Sequence, residues 1–176
     1  MAEKNQTMKL PKTISQKLKL LLGQKCTFCR VESDKSLFLG FGETHFSKRT
    51  GTPHGEWEIG TYDGGWRFVR PGMLVCSRYD LGSTCTELNV CVNTIHLGYL
   101  KEVSNVSEFD VRFTFSCGTC IDFLTTISDD NEVVHIFIPD KEIVVYTAEY
   151  GWQIGRSDLP WNPYPIEPSP PDDQST

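Results

Sequence analysis

The chain lacks any apolar run long enough to cross a membrane. Its longest runs, residues 20–22 and 143–146, are only three and four residues long, whereas a membrane-spanning helix needs about 20 apolar residues. Residues 1–9 are mostly polar and lack the apolar stretch of a secretory leader. We therefore expect a soluble cytoplasmic protein with no membrane partner.

Familiar catalytic motifs are also missing. The sequence contains no P-loop, glycine-rich dinucleotide fingerprint, Gly-x-Ser-x-Gly elbow or His-Glu-x-x-His pair. Its histidines share no spacing typical of a metal site; they are His45, His54, His96 and His135. Several acidic residues fall in expected turns, which explains them without catalysis: Asp129, Asp130, Glu132 and Asp140. We therefore predict that the protein is not an enzyme.

Residues 43–55 are the one segment in which polar groups concentrate beside glycine. The polar groups are Glu43, His45, Lys48, Arg49 and His54. We predict a solvated loop between two strands. An alternative is that the segment lines a cleft, and an enzyme built on this loop ranks last among the functional hypotheses.

Charge is distributed unevenly. Residues 1–25 carry a net +5, residues 26–159 a net −8 and residues 160–176 a net −3. The basic segment has lysines but lacks the arginines and interleaved aromatic rings typical of nucleic-acid recognition. An acidic body repels nucleic acid and attracts a basic partner, although solubility alone also favours net charge. We expect no nucleic-acid partner.

The periodicity predicts an α+β fold that is mostly β. Apolar residues at 14, 18, 21 and 22 indicate a short amphipathic helix, with Thr13 or Ser15 as its cap and Gly23 as its end. Antiparallel strands are expected over 36–42, 57–62, 66–69, 111–115, 121–126, 133–138 and 143–146. Hairpin turns are predicted at 63–65 and 139–141, and a turn at 128–131.

The pattern also suggests a duplicated β unit. The run Trp57 to Trp66 is echoed by a second run that ends at Trp152, and residues 37–41 match residues 111–115. We predict a polar segment 1–12, a single globular domain 13–159 with halves 24–80 and 85–159, and a proline-rich acidic tail 160–176. Six of the 17 tail residues are proline, so the tail cannot build a core.

Two Cys-x-x-Cys pairs stand out among seven cysteines. Cys26 with Cys29 and Cys117 with Cys120 have the spacing with which two thiolates bind one zinc ion. A structural zinc site is therefore the cofactor alternative, against no cofactor. Reduced, buried thiols are the simpler interpretation, because free cysteines are among the most buried residues.

The densest set of aromatic and arginine side chains predicts both core and contact residues. Trp66 and Trp152 are interpreted as core anchors. Aromatic rings and arginine dominate protein interfaces, so the predicted partner-binding residues are Glu56, Trp57, Glu58, Tyr62, Asp63 and Arg67.

Three short segments carry a family resemblance: residues 37–42, Trp57-Glu-Ile and Tyr62-Asp-Gly-Gly-Trp66-Arg67. Through them the chain resembles small bacterial immunity-type proteins of polymorphic toxin systems, over residues 20–70 and 105–156. In that group a strand with Phe-Gly is followed by a tryptophan-rich hairpin. The many cysteines and the proline-rich tail depart from it. The resemblance implies a cytoplasmic, non-catalytic protein that neutralises a basic toxin domain by direct binding. A zinc-stabilised or small-ligand-binding β protein is the alternative, and the oligomeric state stays open.

Overall fold

The computed structural model describes residues 10–126, 131–161 and 163. Within these residues the chain forms two α-helices and eleven strands. The elements in chain order are α1 Lys12–Leu21, β1 Cys26–Val31, β2 Leu37–Phe46, β3 Pro53–Thr61, β4 Gly65–Arg70, β5 Met73–Ser77, α2 Cys85–Asn93, β6 Leu100–Asn105, β7 Val111–Phe115, β8 Cys120–Leu124, β9 Glu132–Ile138, β10 Glu142–Thr147 and β11 Gly151–Arg156.

The strands form two antiparallel sheets. The large sheet has the order β1-β2-β3-β9-β10-β11, and the small sheet has the order β5-β4-β8-β7-β6. An isolated antiparallel bridge between Lys25 and Tyr99 links the segments that lead into β1 and β6. The predicted α+β, mainly antiparallel class is confirmed. No helix in the described part of the chain is long and apolar enough to cross a membrane.

A single apolar core joins both sheets and both helices. Phe41 of the large sheet stacks on Phe115 of the small sheet with ring centroids 6.3 Å apart. Trp66 is fully buried and its indole N–H donates to the Lys35 carbonyl at 2.7 Å. Trp152 is also buried, so both predicted core tryptophans are confirmed. Burying such rings is the main favourable term of folding.

Residues 63–65 do not form the predicted hairpin. They connect β3 of the large sheet to β4 of the small sheet. Both edges of β3 are already paired, with β2 and β9, so β4 cannot lie beside it. Gly64 makes this crossing possible, because a Cβ at that position would lie 2.4 Å from the Val133 carbonyl oxygen. The predicted halves 24–80 and 85–159 each contribute strands to both sheets. The duplication of a β unit stays a prediction.

The local predictions differ from the structure in several places. The expected loop 43–55 is mostly strand, because β2 and β3 extend into a hairpin. Helix α1 follows Pro11 and has no side-chain cap, contrary to the expected Thr13 or Ser15. The predicted hairpin at Pro139–Lys141 is confirmed. Residues 127–130, with Asp129 and Asp130, lie outside the described residues, as do 1–9, 162 and 164–176.

Candidate binding cleft

The outer face of the large sheet carries an open cleft. Backbone register aligns Arg30, Phe38, Gly60 and His135 across strands β1, β2, β3 and β9. The rings of Phe38 and His135 fill the space above Gly60: a Cβ there would lie 2.6 Å from Phe38 Cδ1 and 2.9 Å from His135 Nε2. The close approach of two rings therefore requires glycine at this position.

Phe38 and Arg30 of this row line the open cleft, which has a volume of about 490 Å³. Its size lies in the range of pockets that bind small molecules or single side chains, about 300–1,000 Å³. The lining residues are Arg30, Glu32, Asp34, Ser36, Phe38, Thr52, His54, Gly55, Glu58, Tyr62 and Phe137. Three carboxylates and one guanidinium among them give the cleft a net negative charge when histidine is neutral.

Glu58 is the deepest charged group of the cleft. Only 7% of its side chain is exposed, and its Oε2 lies 3.4 Å from both Arg30 Nη1 and His54 Nδ1. Arg30 makes shorter contacts elsewhere: its Nε donates to Glu32 at 2.8 Å and its Nη1 donates to the Pro53 carbonyl at 2.6 Å. The contacts of Glu58 with Arg30 and His54 are therefore longer than a good charge-assisted hydrogen bond, which is about 2.7–2.9 Å long.

Aromatic rings form the floor and one wall of the cleft. Tyr62 stacks on His135 at a centroid distance of 4.8 Å and meets the edge of Phe38 at 5.3 Å. Phe137 meets the edge of His135 at 4.9 Å. The guanidinium of Arg30 lies 4.6 Å from the centroid of the Phe38 ring, within the range of a cation–π contact.

His135 lies beneath this floor and is fully buried. Its Nδ1 is 2.6 Å from Glu132 Oε1, which also accepts the Tyr62 backbone N–H at 3.1 Å. A carboxylate only accepts hydrogen bonds, so His135 Nδ1 carries the proton in this contact. Nε2 has no hydrogen-bond partner among the residues that the structure describes.

The pKa values of two lining groups, Tyr62 and Asp34, are shifted in opposite directions. Burial raises the pKa of Tyr62, and the charges of Glu132 and Glu58 raise it further. Burial also acts to raise the pKa of Asp34, but hydrogen bonds from Ser36 outweigh it and the net pKa is lowered. At neutral pH the phenol is therefore uncharged and Asp34 is ionised.

The structure separates the predicted partner-binding residues. Glu58 and Tyr62 line the cleft, and Asp63 follows Tyr62 on the exposed crossing between the sheets. Glu56 is exposed on β3. Trp57 is 95% buried in the core, so the expectation that its ring forms a contact surface is not met. It points inward because residues 57 and 58 of a strand face opposite sides of the sheet.

Arg67 lies on the other sheet, away from this cleft. Its Nε donates to Asp122 at 2.8 Å, and Arg112 donates to the same carboxylate through Nε at 2.6 Å and Nη2 at 2.9 Å. Asp122 is fully buried. Arg67 therefore already has an internal partner in the small sheet.

The cysteines do not form the predicted zinc centre. No group of three or more potential ligands is arranged for a metal in the described part of the chain, which includes all seven cysteines. Cys26 donates its N–H to Gly98 and Cys117 donates to Leu97. Both cysteine pairs therefore contact the segment of Leu97 and Gly98, but neither pair has a third metal ligand beside it among the described residues.

Burial raises the pKa of three cysteine thiols. It raises the pKa of Cys26 to about 12 and holds the pKa values of Cys29 and Cys76 above their usual range. A buried thiol with a raised pKa is unreactive. These side chains are packing residues, as the simpler interpretation of the sequence predicts.

Sequence reasoning missed His135 and Arg30 as parts of the site. Neither residue lies in a motif: His135 gains its role by pairing with Gly60, 75 residues away along the chain, and Arg30 by pairing with Phe38 and contacting Glu58, 28 residues away. Comparison of the chain with protein families, with curated proteins and with solved structures finds no match in any of the three. The function is therefore inferred from the cleft itself.

Proposed function

We propose that this protein is a non-catalytic, cytoplasmic binding module that docks a basic protein partner on the cleft face of the large sheet. The supporting observation is the cleft itself, in which the buried Glu58 lies among aromatic rings with Glu32 and Asp34 at the edge. Glu56 and Asp63, both exposed, extend the negative surface beyond it. A basic surface complements this arrangement in charge.

The resemblance to immunity-type proteins suggests that the partner is a toxin domain. A bacterial immunity protein binds its cognate toxin and blocks it without chemistry of its own. A toxin domain that acts on nucleic acid carries positive charge, and an acidic partner associates with it rapidly. The same charge disfavours nucleic acid as the direct ligand.

The experiment compares three baits in the native cell extract. The first is the wild-type chain, the second is Glu56→Lys with Asp63→Lys, and the third is the matched control Glu102→Lys with Glu108→Lys. All four residues are exposed, and Glu102 lies on β6 of the other sheet. We expect a basic protein that the wild type and the control retain and that the cleft-side variant loses.

Association kinetics with the purified partner complete the test. Reversing two charges near the cleft should slow association by about tenfold or more at low salt, and added salt should reduce the difference. The proposal fails if the cleft-side variant retains every protein that the wild type retains, or if its association rate is unchanged at low salt.

A small-ligand-binding protein is the second candidate, favoured by the cleft volume of about 490 Å³. In that case native mass spectrometry of the purified chain would detect a bound small molecule, and the three baits would retain the same proteins.

A further inference from the structure

The cleft already shows which cation it can hold. The guanidinium of Arg30 lies 4.6 Å from the centroid of Phe38 and 5.3 Å from that of Phe28. It also bonds to Glu32 at its edge and lies 3.4 Å from Glu58. A planar cation on an aromatic face with carboxylates around it is a stable arrangement on this sheet.

One internal arginine does not use all the acceptors of the cleft. Glu58 is contacted only at 3.4 Å by its two basic neighbours, and Asp34 is exposed and ionised. Three carboxylates against one guanidinium leave the cleft acidic, so a positively charged group that is rich in N–H donors complements it.

We propose that the protein partner inserts an arginine side chain into this cleft, with its guanidinium beside Glu58 and its stem against Tyr62 and Phe137. This inference rests on the proposed function and names the chemical group that the cleft recognises. Arginine suits the site better than lysine because it presents five N–H donors in a plane that stacks on aromatic rings.

Tyr62 contributes an aromatic surface to the proposed arginine site. Its ring covers His135 in a stack at 4.8 Å, yet 47% of the residue is exposed on the open side of the cleft. The exposed part of the ring therefore offers an aromatic surface to the stem of the partner's arginine.

The test uses two small probes on the intact chain. N-acetyl-arginine amide carries the guanidinium, and N-acetyl-citrulline amide has nearly the same shape without the charge. In a ¹H–¹⁵N NMR titration the arginine probe should bind saturably and shift the amide signals of Arg30, Glu58, Gly60 and Tyr62. The citrulline probe should leave these signals in place at the same concentrations.

A pair of variants locates the site. Glu58→Gln should weaken arginine binding by about tenfold or more, the effect of losing one hydrogen bond between charged groups. The exposed Glu102→Gln on the other sheet should bind as the wild type does. Equal binding of the two probes, signal shifts confined to another surface, or unchanged affinity in a folded Glu58→Gln variant would overturn the inference.

The inference and the proposed function can fail separately. If a basic partner binds in a charge-dependent way but neither the arginine probe nor Glu58→Gln has an effect, the inference is wrong and the proposed function stands. If the arginine probe binds at Glu58 and no bait captures a basic protein, the cleft recognises guanidinium but the proposed function is wrong.

Discussion

Replacing the buried carboxylate of the small sheet tests whether its arginines are structural. Asp122 Oδ2 accepts from Arg67 Nε at 2.8 Å and from Arg112 Nη2 at 2.9 Å, and Oδ1 accepts from Arg112 Nε at 2.6 Å. In Asp122→Asn the amide oxygen can replace one of the two acceptors. The amide N–H₂ then faces an arginine N–H, so at least one hydrogen bond is lost and the others lose their charge assistance.

The expected loss of stability depends on how deeply Asp122 and its two arginine partners are buried. Hydrogen bonds to charged groups contribute about 1.5–3 kcal/mol each. The arginine side chains remain 38% and 32% exposed, so water recovers part of the loss, whereas Asp122 is fully buried. We expect Asp122→Asn to lower the free energy of unfolding by about 2–3 kcal/mol. With a urea dependence of about 2 kcal/mol per molar, the midpoint should fall by roughly 1–1.5 M.

The assay is urea unfolding followed by tryptophan fluorescence, at low salt and in 1 M NaCl. The control is Asp140→Asn, an exposed residue with φ 69°, where asparagine also tolerates the left-handed backbone and the change should stay within about 0.5 kcal/mol. The deficit of Asp122→Asn should persist in high salt, because screening acts mainly on exposed pairs. A midpoint equal to that of the wild type would refute this reasoning and leave Arg67 free to contact a partner.

Three further predictions concern local packing, capping and thiol chemistry. Gly60→Ala should lower the free energy of unfolding by about 1–3 kcal/mol, because its Cβ would meet Phe38 at 2.6 Å; an unchanged urea midpoint would contradict this. Thr84→Ala removes the cap of α2 and should cost about 1 kcal/mol, seen as faster amide exchange in that helix but not in α1. Iodoacetamide at pH 8 should modify the exposed Cys117 long before Cys26, whose pKa of about 12 leaves roughly one thiol in ten thousand ionised. Peptide mapping would show equal rates if burial of Cys26 were not the cause.

Elements with strong local patterns were predictable. Strand β7 buries Val111, Phe113 and Phe115 while Arg112 and Thr114 remain partly exposed, as period-two alternation indicates. The spacing of apolar residues in α1 predicts the helix, although not its cap. Helix α2 had a usable signal as well, the Thr84-x-x-Glu87 capping box, in which each side chain bonds the other residue's backbone N–H.

Features that depend on strand pairing were not predictable. The alternation Glu56-Trp57-Glu58-Ile59 favours Trp57 for the core and Glu58 for the opposite face, but it does not show which strands surround Glu58. The pairing of β3 between β2 and β9 directs Trp57 inward and Glu58 outward. A shift of one residue would exchange the two faces, and no local pattern in this segment records that β2 and β9 are the strands beside it.

The sequence by itself determined the mainly β composition, the short first helix, the core tryptophans and the acidic body. These follow from local periodicity, side-chain hydrophobicity and charge, which need no knowledge of distant contacts. Only the tertiary structure decided that Gly60 lies opposite His135, that Arg30 stacks on Phe38 and that residues 63–65 cross between sheets. A strand has two edges and many possible partners, so the cleft depends on which distant strands pair to bury the common core.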